Sequence, residues 1–201
     1  PKLVYAIPAF QNPAGVTLSG ARRRHLVEIC ERFQIPVVED HAYADLRFQG
    51  DPLPSLKSLA QDNVVLVQTF SKIFSPGARL GYVFAGPPLV RRLGLCKIGT
   101  DSCANTLCQR LLFAHARAGG IDRQIESSIE LYRRKSDKLH ASLQRELSDL
   151  ASWTRPEGGF YTWLDLGETI DSEALLRYAI EKEKTAFVAG PPFFSDGSGS
   201  R

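Results

Sequence analysis

The sequence predicts an α/β fold, a mostly parallel sheet flanked by helices, followed by a smaller α+β segment. Three observations carry that reading. Short apolar runs at residues 3–7, 35–39 and 64–70 recur with room for crossovers between them. Each run ends in a loop rich in Pro, Gly, Asn, Asp or Ser. Beyond residue 148 the pattern changes to short extended pieces around one amphipathic helix. At 201 residues and 43% hydrophobic content, the chain can bury a sizeable core.

Residues 3–7 read as a buried strand, and 8–15 as the loop after it. Thr17 or Ser19 can cap the next helix, where Leu26, Ile29, Cys30 and Phe33 fall at i, i+3, i+4 and i+7. That spacing leaves Arg22, Arg23 and Arg24 mostly on the wet side. With 35–39 as a second strand, residues 3–39 make a right-handed β-α-β unit, and Asp40 sits at a carboxyl end. A short extended piece at 46–49 and a helical turn near 55–60 lead into the third strand at 64–70. The connection from 70 to 79 is too short for a crossover, so 80–85 runs antiparallel in the same sheet.

Pro87 and Pro88 open a helical region, interrupted near Gly99, that continues to residue 118, where Gly119 and Gly120 break it. Apolar residues at 125, 129, 132, 139, 143 and 147 trace one face of a long helix whose other face is charged. Residues 153–156 and 158–166 read as strands, 172–181 as a helix and 185–188 as another strand. The domain boundary falls within 119–148, so 1–120 reads as the end of a larger domain. Residues 121–201 then hold the long helix and a smaller, incomplete domain. The chain opens inside a strand, contains no methionine and stops soon after an apolar run, so both ends look cut.

Composition excludes several classes of function. A formal charge of +3 from scattered basic residues gives no case for nucleic acid or an anionic membrane. No apolar run approaches a membrane span and no signal peptide opens the chain, so cytoplasm is the expected location. Cys30, Cys96, Cys103 and Cys108 form no Cys-x-x-Cys pair and lack zinc-ligand spacing, which makes them reduced packing residues.

The chemistry collects at the strand ends. Asn12 follows the first strand, Asp40 and Tyr43 the second, and Lys72 the third, with Thr69, Ser71 and Arg79 around it. In a parallel sheet these loops emerge on one edge, where α/β proteins bind ligands. Each residue alone has a plain explanation as surface charge, turn former or packing group. Jointly they supply a nucleophilic amine, a carboxylate, a phenol, an amide and a guanidinium suited to phosphate. That set fits pyridoxal 5'-phosphate, which needs an amine for its aldehyde, a carboxylate for its ring nitrogen and donors for its phosphate. Neither a P-loop nor a Gly-x-Gly-x-x-Gly occurs to support a nucleotide instead.

The motifs Gln11-Asn12-Pro13-Ala14-Gly15, Glu39-Asp40-His41-Ala42-Tyr43, Thr69-Phe70-Ser71-Lys72 and Pro76-Gly77-Ala78-Arg79-Leu80-Gly81-Tyr82 resemble, in order and spacing, the class I/II aminotransferases. These are fold-type I pyridoxal-phosphate enzymes, and Pro156-Glu157-Gly158-Gly159-Phe160-Tyr161-Thr162-Trp163 is similar to their small-domain signature. The resemblance covers essentially the whole chain. It implies that Lys72 forms the Schiff base with the cofactor and, once displaced by substrate, shuttles the proton between Cα and C4′. By the same resemblance Asp40 pairs with the pyridinium nitrogen, and Asn12 and Tyr43 bond the phenolic oxygen. Thr69, Ser71 and Arg79 are then the phosphate candidates.

The implied activity moves an amino group between an α-amino acid and a 2-oxo acid, in a homodimer. The segment running from Glu39 through Leu56 is most similar to the branch acting on 2-aminoadipate, aromatic or branched-chain amino acids. The family's earlier phosphate loop and ring-stacking aromatic do not precede Pro1. Its substrate-carboxylate arginine falls beyond the end of the chain, so Arg201 stays outside the site. Two alternatives use the same residues: the ligand-sensing domain of a winged-helix transcription regulator, which would touch nucleic acid through a preceding domain, and a lyase or decarboxylase on the same fold.

Overall fold

In the computed structural model, residues 1–167 and 169–196 are described. Arg201 and the end of the Gly-Ser tail lie outside the described residues. A four-stranded sheet in the order β1(Val4–Ala6), β2(Val37–Asp40), β3(Val64–Thr69), β4(Gly81–Phe84) organises the first half. The first three strands are parallel, with Ala6 opposite Glu39 and Asp40 opposite Val67. β4 returns antiparallel, pairing Gly81 with Thr69, as the short connection requires. Gly81 permits that return, because a Cβ there would lie 2.6 Å from the Gln68 carbonyl oxygen.

One face of the sheet is covered by α1(Gly20–Arg32) and α2(Leu56–Leu59). Ser19 caps α1 by accepting from the Arg22 N–H, and Ser55 caps α2 by accepting from that of Ser58. The core between these layers holds Val27, Cys30, Val37, Leu56, Ala60 and Val64. The buried side of α1 differs from the predicted stripe. Arg23, Val27 and Cys30 face inward, whereas Ile29 and Phe33 are exposed.

Arg23 therefore contradicts the expectation of a wet face, and the reason is its planar fork. Nε donates to the Leu18 carbonyl at 2.9 Å, Nη1 to that of Pro54 at 2.8 Å and Nη2 to that of Pro8 at 2.8 Å. Three diverging carbonyls satisfy a guanidinium as no apolar residue could. Beside it Glu39, also buried, accepts from the backbone N–H groups of Leu56 and Lys57 at the start of α2.

The helices α3(Pro87–Thr100) and α4(Thr106–Arg117) form the region predicted as one interrupted helix. Neither buries a residue; Cys96 on α3 and Cys103 in the turn between the two helices are exposed, and of the four cysteines only Cys30 is buried in a core. α5(Gly120–Leu147) begins at Gly120 instead of after it, with Gly119 at φ 68 supplying the left-handed turn. No helix among the described residues is long and apolar enough to cross a membrane.

Beyond α5 the structure is less regular than expected. Only β5(Ser152–Trp153) and β6(Leu164–Asp165) pair, antiparallel, followed by α6(Ser172–Glu183). The stretch 158–163 is not a strand but a loop turned toward the first half. The junction is made by backbone bonds: Phe48 and Gln49 donate to the carbonyl of Glu157, just before the stretch, and Gly159 donates to that of Leu46. The expected strand at 185–188 is absent, since those residues leave a left-handed cap at Lys184 and stay exposed with no strand beside them among the described residues.

The loop docks because two glycines admit Phe10, which is buried beneath them. A Cβ on Gly158 would sit 2.3 Å from the Phe10 ring, and one on Gly159, whose φ is +68, 2.7 Å from the Phe10 Cβ. Arg47 closes the same junction, with its guanidinium 4.8 Å from the Phe10 ring centroid and 2.6 Å from the Glu157 carboxylate.

Candidate functional site

Parallel pairing puts the carboxyl ends of β1, β2 and β3 on one edge, and the predicted residues stand there. Asn12 lies in the loop after β1, Asp40 and Thr69 end their strands, and Tyr43 and Lys72 each follow three residues later. Lys72 Nζ has no hydrogen-bond or ion-pair partner among the described residues. It lies instead 6.0 Å from the ring centroid of Tyr43 and 5.6 Å from that of Phe160. An amine held against two aromatic faces at a strand end is available for covalent chemistry.

The Asp40 carboxylate is held from two sides. Its Oδ1 accepts from the Ala42 N–H at 3.0 Å, and its Oδ2 from the Tyr5 hydroxyl at 2.5 Å. Burial, the hydrogen bond and the charge of Asp40 push the Tyr5 phenol up to about 12. Tyr43 is buried, with Asn12 and Tyr161 near enough to act on its hydroxyl. Burial first, then Tyr161, hold its phenol well above the usual range, while Asn12 favours the ionised form as an amide donor does.

Thr69 and Ser71 make a polar notch beside them. Thr69 Oγ1 stands 3.0 Å from Ser71 Oγ and accepts from the Ser71 backbone N–H at 3.1 Å. Arg79 shares this loop, at φ 54 after the 3-10 turn Pro76–Ala78, but its Nη1 donates to the Pro76 carbonyl and not to that pair. The structure thus joins Asn12 to Tyr43, Tyr43 to Lys72, and Thr69 to Ser71, with Arg79 exposed at the rim.

Three residues that sequence reasoning did not assign also reach the site. Phe160 and Tyr161 stack against Tyr43 with centroids 5.3 and 5.6 Å away, both near-perpendicular. The Gly-Gly step before them was the available signal, because it lets the loop approach Phe10 closely. Tyr5 carried no signal at all; a tyrosine inside an apolar strand reads as packing.

The donor set fits pyridoxal phosphate. A partnerless amine, a carboxylate fixed by two donors, an amide-phenol pair and a hydroxyl notch beside an exposed arginine answer the group's aldehyde, ring nitrogen, phenolic oxygen and phosphate in turn.

Comparison with known proteins agrees. The family model described as "Aminotransferase class I and II" matches residues 4–199. An aromatic-amino-acid aminotransferase of Thermococcus litoralis is 38% identical over 96% of this chain and 46% of its own length. A 2-aminoadipate transaminase of Thermus thermophilus is also 38% identical, over 99% of this chain and 51% of its own. Among solved structures, an alpha-aminoadipate aminotransferase of Thermus thermophilus complexed with N-(5'-phosphopyridoxyl)-L-leucine superposes with a TM-score of 0.94 at 35% identity, over 100% of this chain and 52% of that one. The chain spans about half the length of the curated relatives it matches.

Proposed function

The chain belongs to the class I and II aminotransferases, and from that membership we propose that the whole protein is a pyridoxal-phosphate-dependent aminotransferase acting on an α-amino acid and a 2-oxo acid. The observation that carries the proposal is Lys72, a partnerless amine at a strand end, within one edge of Asp40, Asn12, Tyr43, Thr69 and Ser71. When bound, the cofactor supplies an aldehyde and an electron-withdrawing ring that stabilises negative charge at the substrate Cα. Lys72 Nζ is the covalent anchor and, once released, the base that moves a proton at that carbon.

Asp40 pairs with the protonated ring nitrogen, its Oδ1 accepting from the Ala42 N–H. Asn12 and Tyr43, which lie close enough to act on one another, orient the phenolic oxygen. Thr69, Ser71 and Arg79 receive the phosphate, Arg79 by turning from the Pro76 carbonyl. Phe160 and Tyr43 flank the Lys72 amine with their rings, and Tyr161 packs against both of those rings. Residues 1–120 belong to the larger domain and 121–201 to the long helix and smaller one. The substrate class is 2-aminoadipate or an aromatic or branched-chain amino acid, in keeping with the names of the relatives. The assembly is a cytoplasmic homodimer.

The test is borohydride reduction of the full-length protein loaded with pyridoxal phosphate, followed by peptide mapping. The expected label is on Lys72, and Lys72→Ala abolishes amino transfer. A label on another lysine, or turnover in the alanine variant, refutes the mechanism. Loading at Lys72 without any amino-acid-dependent loss of the cofactor's visible band favours the regulator or lyase instead.

A further inference from the structure

Tyr5 does something that cofactor binding by the assigned residues does not require. It is the middle residue of β1, opposite Val38, on the sheet face that α1 and α2 leave uncovered. Half-exposed, its phenol has water within reach, yet it crosses from one strand to the tip of the next and donates to Asp40 Oδ2 at 2.5 Å. A phenol donating to a carboxylate makes a charge-assisted bond, about twice as strong as a neutral one.

With Ala42 on Oδ1 and Tyr5 on Oδ2, rotation of the carboxyl group is blocked from both sides. An ionised carboxylate has about four acceptor sites, so the remaining ones point to a defined place. We propose that Tyr5 is a positioning residue for Asp40: its hydroxyl fixes the orientation in which the carboxylate would meet the cofactor's ring nitrogen. The inference rests on the role given to Asp40 above. The charge of this carboxylate helps raise the phenols of Tyr5 and Tyr43. The elevated phenol keeps Tyr5 a donor throughout the physiological range.

The test uses the full-length protein with Tyr5→Phe, Asp40→Asn and the double substitution. Three quantities are read: the dissociation constant for pyridoxal phosphate, the midpoint of the pH titration of the bound cofactor's visible band, and the melting temperature without cofactor. Tyr5→Phe is expected to weaken cofactor binding about 3- to 10-fold, the scale of one hydrogen bond, and to displace the titration midpoint. Melting without cofactor is expected to be unchanged, since the ring remains. On the Asp40→Asn background the same change is expected to add nothing, because no charged acceptor is left to orient.

An unmoved midpoint with unchanged affinity overturns the inference, as does full additivity in the double variant. A lower melting temperature with an unmoved midpoint reduces Tyr5 to packing and overturns it too. If the unaltered protein takes up no pyridoxal phosphate, or carries it on a lysine other than Lys72, the reading of the site fails and this inference with it. Normal loading at Lys72 with a silent Tyr5→Phe removes only the role of Tyr5.

Discussion

Replacing Arg23 with methionine tests how the loop that carries Asn12 is held. The guanidinium is 1% exposed and donates to the carbonyls of Leu18, Pro54 and Pro8, with no carboxylate at ion-pair distance. Burial lowers its pKa and Glu39 opposes that shift, yet an arginine keeps its proton in a protein. Methionine keeps the apolar stem and removes the fork. A simple sum of three bonds from a charged donor, about 1.5–3 kcal/mol each, overstates the loss. Deleting the charge also removes a desolvation cost of several kcal/mol, and the Pro8 carbonyl keeps the Leu18 N–H at 2.9 Å. The carbonyls of Leu18 and Pro54 remain, each costing about 1–3 kcal/mol when buried without a donor.

The net expectation is a loss of about 3 kcal/mol, which at a urea slope near 2 kcal/mol/M lowers the unfolding midpoint by about 1.5 M. Cofactor affinity should fall with it, because Pro8 opens the loop that ends in Asn12. A midpoint within about 0.3 M of the unaltered protein, or above it, would refute the reasoning. It would mean that burying the charge costs as much as its three bonds return.

Two further predictions concern the junction and the long helix. Gly158→Ala drives a methyl to 2.3 Å from a buried ring and 2.6 Å from the Leu46 carbonyl. It should cost about 1–3 kcal/mol by overpacking, read as a lower melting temperature, with weaker cofactor retention because Phe160 and Tyr161 follow directly. His140 has both ring nitrogens buried without partners, and burial and then Arg155 lower its pKa, against Asp137. Its folded pKa lies below the unfolded value, so its neutral form stabilises above roughly pH 6.5, and that stability is lost as pH falls through and below it. His140→Leu should therefore flatten the fall in melting temperature between pH 7 and pH 5 without lowering it at pH 8. An unchanged slope would show that His140 does not drive it.

The sheet was legible because its strands are short apolar runs punctuated by turn residues. The return of β4 was legible from loop length alone. What failed has a common cause: each miss depends on partners far away in the sequence. The stripe on α1 was misassigned because hydropathy cannot anticipate that Arg23 will meet three carbonyls. Residues 158–163 looked extended, but the chain turns at Gly159, whose N–H goes to the Leu46 carbonyl, and returns to pair only at Trp163 with Thr154. The gathering of Lys72, Asp40, Asn12 and Tyr43 on one edge was legible because strand-end loops in a parallel sheet converge. Tyr5 and Tyr161 were not, since one lies a strand away and the other more than a hundred residues downstream.

The free edge of β4 bears on how these residues behave in a tube. β4 ends the strand order, all four of its residues are exposed, and Gly-Tyr-Val-Phe contains no proline, lysine or other charge to discourage a visitor. Natural sheets blunt such rims. A polypeptide of these 201 residues alone would offer an open zipper to its own copies, so its solubility would be governed by concentration well before its fold was in question.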